Sequence, residues 1–302
     1  MDKKTINFFR SSIISVVIVS IGVFIALTLF MSVKTEESVT EISHTYMSEM
    51  SLQVQQKFQS IIDLRLSQVD GIIKRTPPED VVYGEELLEE LETSAQVRDF
   101  NYLALYGEDG NSEVIYGDEL CLLDDQYMVG HLLSDGSIIA EAETENGDRI
   151  LLLGLKAEYP MKDGGTSIAL LAGFPMDYLN DALFLAGEDS DVYYHIIDIN
   201  GKFVIRNKGA YRESYFQRIM ETYAPFEGKE PADYVQEISD AMQNGDVYFA
   251  SAMVDGEGMQ IHCSRLPGNS NWYLICAMPL DFMTKSVSDL AVVRVWVTFA
   301  SM

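Results

Sequence analysis

The chain is poor in positive charge. It carries 21 Lys and Arg against 47 Asp and Glu, a formal charge of −26 over 302 residues. A nucleic-acid binder must neutralise phosphates with Lys and Arg, so that class is excluded. Cysteine is scarce too, with Cys121, Cys263 and Cys276 only. Three residues do not make a disulfide framework, and without a CxxC or a Cys/His cluster no metal site is implied. Cys263 and Cys276 flank the turn LPGNSN symmetrically. In a tight hairpin they would face each other and could be bridged in an oxidising compartment. There are four histidines, none in a catalytic pattern, and no GxSxG, HExxH, Walker loop or nucleotide fingerprint. Catalysis within this chain is therefore not expected, and no cofactor is implied.

One uncharged apolar run is long. Ser11–Val33, SSIISVVIVSIGVFIALTLFMSV, has 23 residues, enough to cross a hydrocarbon core of roughly 30 Å. Lys3, Lys4 and Arg10 precede it, while Glu36 and Glu37 follow it. That asymmetry places residues 1–10 in the cytoplasm and the rest outside the cell membrane. The run exceeds a signal-peptide core and lacks a small-x-small site, so it reads as an uncleaved anchor. Leu290–Met302, LAVVRVWVTFASM, reads as the start of a second span in a chain that continues.

Between these spans the pattern changes. Apolar residues from Val39 to Ile73, including Tyr46, Met50, Val54, Phe58, Ile62, Val69 and Ile72, recur at threes and fours. The spacing predicts a helix over 34–76, ended by Thr76-Pro77-Pro78. Its stripe would pack on its own domain, pair with a second subunit as a homodimer stalk, or both.

Two segments then repeat. SIALLAGFPMDYLNDAL starts at Ser167 and NWYLICAMPLDFMTKSV at Asn271, an offset of 104 residues. Each is an apolar run stopped by Pro-hydrophobic-Asp-aromatic. Proline has no N–H for a ladder but suits a first helical turn. Around both runs the order of elements is the same: hairpin, helical insert, hairpin, strand, Pro, helix. Asp-Gly and Asn-Gly mark the short hairpins. The expectation is an α+β chain of two tandem PAS-like modules, each with a five-stranded antiparallel sheet. The distal module would run over 77–185, the membrane-proximal one over 186–285, and the second span would begin at 286.

With the anchor and long helix, the phrases DINGKFVIRN and NWYLICAMPLDF resemble the extracytoplasmic double Cache sensors. The resemblance covers about residues 34–288. It implies a transmembrane receptor, usually dimeric, whose distal module binds a small molecule. Its output would be a histidine kinase, a diguanylate cyclase or a chemoreceptor region absent from this chain. The amino-acid-binding members carry an Arg-x-Trp/Tyr element. Here NYLALYGEDGNSEVIYGD has Tyr102 and Tyr106 without it, so an amino-acid ligand is not supported.

The space between the distal sheet and its insert would hold the ligand. Candidates from the insert are Asp124, Tyr127 and His131, the last two four apart and able to face inward together. Tyr102, Tyr116, Arg149 and Lys156 are candidates from the sheet. Trp272, Pro279 and Asp281, at the second exit, are candidates for signal relay. A receptor is one reading of this organisation. A membrane-tethered binding or adhesion protein without cytoplasmic output is the other.

Overall fold

The computed structural model describes residues 41–122, 125–183, 192–205, 214–268 and 270–282, without the side chains of 125–127. Both apolar end segments lie outside the described residues, as do Asp124 and most of the second span's approach. No described helix is long and apolar enough to cross a membrane. The described residues fall into two units, with Glu49–Pro279 forming the larger. In the smaller unit, Tyr46 and Phe282 meet with ring centroids 6.0 Å apart.

Residues 41–75 are a single helix, α1. It ends where expected: the Thr76 N–H still donates to the Ile72 carbonyl at 2.9 Å, and Pro77 and Pro78 then end the ladder. Within the larger unit Val54, Phe58, Ile62, Val69 and Ile72 are buried, while Leu52 and Leu64 face solvent. The stripe therefore packs on its own domain.

Helix α2 (Glu85–Val97) leads to the first sheet. Its strands are β1 (Tyr102–Tyr106), β2 (Ser112–Tyr116), β3 (Leu120–Leu122), β4 (Ser137–Thr144), β5 (Arg149–Lys156) and β6 (Ala169–Pro175), with α3 (Asp125–Asp135) inserted after β3. Helix α4 (Met176–Leu183) leaves directly from β6. The second sheet has β7 (Tyr193–Asp198), β8 (Phe203–Ile205), β9 (Tyr223–Ala224), β10 (Tyr248–Val254), β11 (Glu257–Arg265) and β12 (Trp272–Pro279). Helices α5 (Tyr215–Thr222) and α6 (Pro231–Asn244) are its insert.

Both sheets are antiparallel and have the same order. The first runs β2-β1-β6-β5-β4-β3 and the second β8-β7-β12-β11-β10-β9. Each proline closes the corresponding ladder: Pro175 sits opposite Ile150 and Pro279 opposite Met259. Each sheet has its own core. Tyr102, Tyr106, Leu132, Ile138 and Leu171 belong to the first, and Ile197, Tyr215, Tyr234, Ile261 and Ile275 to the second.

Two expectations are corrected. The sheets have six strands rather than five, because β3 and β9 add short edges. Strands of three and two residues carry no readable alternation. Nor do Cys263 and Cys276 face each other. Cys276 is paired with His262, and Cys263 with Ile275. The register is one residue away from the symmetric one, which puts the thiols on opposite faces of the sheet. Both are free and buried, and burial raises both thiol pKa values, Cys263 to about 12.

The larger unit is tied together through α1. Ser51 and Gln55 hydrogen-bond the Ser264 hydroxyl of β11 at 2.8 and 2.9 Å. At the other end the Tyr159 hydroxyl donates to the Thr76 carbonyl at 2.6 Å. Between them the Arg65 guanidinium lies over the rings of Phe174 and Tyr178, 4.5 and 4.4 Å from their centroids.

Candidate functional site

A cleft of about 990 Å³ lies at one end of the first sheet. The β4–β5 turn, the start of β5 and the β6-to-α4 exit form one wall. Lys202 and β8 of the second sheet form the other. The repeated Pro-x-Asp exit is what puts this wall in place. Pro175 ends the ladder, the chain turns into α4, and Asp177 and Asn180 of the first helical turns line the cleft.

Its charge is unbalanced. Asp118, Glu143, Asp148 and Asp177 line it, against Arg149 and Lys202. Arg149 is largely committed: its Nε and Nη2 both contact the Glu141 carboxylate, which is almost fully buried. Lys202 Nζ reaches Glu143 across the cleft at 4.0 Å. The remaining field favours a ligand that carries positive charge or several hydrogen-bond donors.

Tyr102 lies on the cleft floor and is itself core. Burial raises its phenol pKa, more than a hydrogen bond to Ser112 lowers it. The group is a neutral donor at any physiological pH.

The structure thus brings Tyr102 and Arg149 together at this cleft and leaves Lys156, Tyr116 and His131 elsewhere. Lys156 is at the opposite end of β5, about 23 Å away at 3.3 Å per residue, and lies beside Glu158. Tyr116 ends β2, half-buried and outside the cleft. His131 binds Asp135 at 2.8 Å along the surface of α3, while Met128 and Leu132 are the residues of α3 that enter the core. Tyr127 is on α3, with its side chain not described, and Asp124 is outside the described residues. At the second exit Trp272 is buried against Phe58, with ring centroids 6.1 Å apart. Pro279 is the last ladder residue, and Asp281 follows it exposed.

Sequence reasoning missed Glu141, Asp177 and Lys202. The repeat held a signal for Asp177, since it is the counterpart of Asp281 in the quoted motif. It also missed a second, smaller cavity of about 120 Å³ under α5 in the second sheet, lined by His195, Tyr215, Arg218 and Tyr223 among others. Among the described residues no group of three His, Cys, Asp or Glu is arranged to hold a metal ion.

No family profile and no curated protein sequence matches the chain. Solved structures do. The ligand-binding domain of the Pseudomonas fluorescens chemoreceptor CtaA, in complex with L-isoleucine, matches with a TM-score of 0.57 at 15% identity. The match covers 83% of this chain and 98% of that one. The ligand-binding domain of the Pseudomonas aeruginosa PAO1 amino acid chemoreceptor PctB, with L-Gln, matches at 0.54 and 13% identity over 82% and 98%. That of PctC from the same strain, with GABA, matches at 0.52 and 16% identity over 78% and 98%. At such identities the shared property is the fold, and it is the tandem PAS-like fold of the double Cache sensors.

Proposed function

We propose that this chain, built on the double Cache fold, is the extracytoplasmic ligand-sensing region of a membrane receptor. The observation that carries the reading is the duplicated antiparallel sheet, in a fold that aligns along nearly the full length of chemoreceptor ligand-binding domains. The apolar run Ser11–Val33 supports an anchor, with 1–10 cytoplasmic and 34–288 outside. On this reading residues 77–185 are the distal module and 186–285 the proximal one. The receptor is a homodimer, and its output is a cytoplasmic kinase or cyclase region.

The ligand is a small molecule bound at the cleft by Tyr102, Asp177 and Asn180, and its net acidic lining favours an amine-bearing ligand. The similar chemoreceptor domains hold amino acids and GABA, all of which carry an ammonium group, but the Arg-x-Trp/Tyr element that would hold a carboxylate is missing here. Binding acts on signalling only by its differential affinity for two arrangements of the helices that reach the bilayer. The β6–α4 exit lies at the cleft, so closure there would act on Phe174 and Tyr178, the two rings that clasp Arg65 of α1.

The test uses the full chain in lipid nanodiscs, screened by thermal shift with primary amines, diamines, amino acids and carboxylates. An amine should raise the melting temperature, and Asp177→Asn should reduce the effect at least tenfold in Kd. If no amine binds, or Asp177→Asn leaves binding intact, the cleft is not the sensor site. A reporter fused at residue 10 that reads as extracytoplasmic would overturn the orientation.

A further inference from the structure

The second sheet holds a polar pocket where the first holds only apolar core. Ala104 pairs with Leu171, and Ile275, 104 residues after Leu171, pairs with His195. His195 is buried on the insert side of the sheet, between the rings of Phe203 and Tyr215. Tyr215 and Arg218 come from one face of α5, and Tyr223 from β9. Together with Ile261 and Ala277 of the sheet they enclose the 120 Å³ cavity.

The hydrogen-bond inventory of this pocket is incomplete in one direction. Arg218 Nη1 donates to His195 Nε2 at 3.2 Å. That leaves the guanidinium most of its five N–H donors. Among the described residues no carboxylate lies within ion-pair reach of Arg218, although Asp255 and Glu257 border the pocket's mouth. The Tyr215 and Tyr223 hydroxyls bond each other at 2.9 Å. One proton serves that bond, and the other phenol proton is left to donate. Burial and the Arg218 charge hold His195 neutral, with its pKa lowered to about 3. Among the described lining residues the pocket thus offers a cation, Arg218, and a spare neutral O–H donor above an apolar floor, with the two carboxylates, Asp255 and Glu257, exposed to solvent.

We infer that this pocket binds a small monocarboxylate, its oxygens on the Arg218 guanidinium and the tyrosine pair and its short apolar end on Ile261 and Ala277. A planar guanidinium takes a carboxylate through two parallel N–H bonds. At about 120 Å³ the cavity is small, which matches a short acid such as acetate, propionate or alanine. Asp255 and Glu257 at the mouth disfavour dianions. They would accept an ammonium group, so a plain fatty acid and a small amino acid share the same anchoring chemistry. This site is separate from the cleft and does not depend on it.

The experiment is isothermal titration calorimetry on the full chain in detergent, with acetate, propionate, L-alanine, propionamide and ethylammonium as probes. Propionate or L-alanine should bind, and the preference between them identifies the source. Propionamide and ethylammonium should not. Arg218→Gln should weaken binding at least tenfold. Tyr223→Phe keeps the ring and should weaken it several-fold with an unchanged far-UV circular dichroism spectrum. The assignment is overturned if neither carboxylate binds at millimolar concentration, if propionamide binds equally well, or if both variants bind like the parent.

Discussion

Phe58 of α1 meets Trp272, the first residue of β12, edge to face at 6.1 Å between ring centroids. Both are buried, so the long helix and the strand that leads to the second exit share one aromatic contact. Trp272→Ala should cost about 3–5 kcal/mol. A Phe58→Ala/Trp272→Ala double-mutant cycle should show coupling of about 0.5–1.5 kcal/mol. Urea midpoints of the four proteins check this. Additive losses would mean that the rings merely sit near each other, and Trp272 would lose its claim to a relay role.

Arg65 makes a different kind of contact. Its guanidinium is clasped by Phe174 and Tyr178, and Nη1 donates to Gln68 at 3.0 Å. Two ring faces on a partly buried cation contribute about 1–2 kcal/mol together. Arg65→Lys should lose most of that, because an ammonium does not stack as a plane. Arg65→Met should recover part of the loss through packing. Chemical denaturation of both variants distinguishes the cation from the hydrocarbon stem. A small loss in Arg65→Lys beside a large one in Arg65→Met would assign the effect to charge rather than to the stacked plane.

Much of this fold was legible because its signals are local. The 104-residue repeat is visible in the apolar runs and the prolines that end them. The helix Pro231–Asn244 is written in its ends: Pro231 at its first turn, Asp233 accepting from the Glu230 N–H at 2.8 Å, and Gly245 at φ 75° after it. The cysteine pairing was not legible, because register depends on how the 266–271 connection closes, and one residue of slip reverses every face. The candidate site divides in the same way. Tyr102 and Arg149 sit at the same end of β1 and β5, the two strands that flank β6, but Lys156 belongs to the other end of Arg149's own strand. The Arg218 pocket needs β7, α5 and β9 brought together, a long-range arrangement that no window of sequence contains. Tyr215 and Arg218, three apart on α5, were its single local trace.

Gly117 has a steric role that Gly164 lacks. Its φ is +90°, and a Cβ there would lie 2.2 Å from the Asn101 carbonyl oxygen. Asn101 borders the cleft and its N–H bonds the Gly173 carbonyl at 2.9 Å. Gly164 has a similar φ of +86° with open space around it. Gly164→Ala should therefore cost only the conformational term, about 1 kcal/mol. Gly117→Ala should cost at least ~2 kcal/mol more, because backbone must move. Thermal melts of the two variants make the comparison, and equal costs would show that β1 can shift freely at the cleft.

His195 gives the protein a defined pH response. Its pKa falls from 6.5 to about 3 in the folded chain, first through burial and then through the Arg218 charge. The unfolded chain binds a proton near pH 6.5, where the folded chain does not. Between pH 6.5 and about 3 the unfolded state is thus the more protonated. The contribution of neutral His195 is fully present above pH 6.5 and falls as pH drops through that window, by up to ~1.4 kcal/mol per pH unit. Carboxylates titrate in the lower part of the same window, so the comparison is with His195→Asn, measured by urea unfolding at pH 7.5, 6 and 5. The parent should lose stability more steeply than the variant between pH 6 and 5, where most carboxylates are still ionised. Parallel curves for the two proteins would mean that His195 takes up a proton in the folded state, and that Arg218 does not hold it neutral.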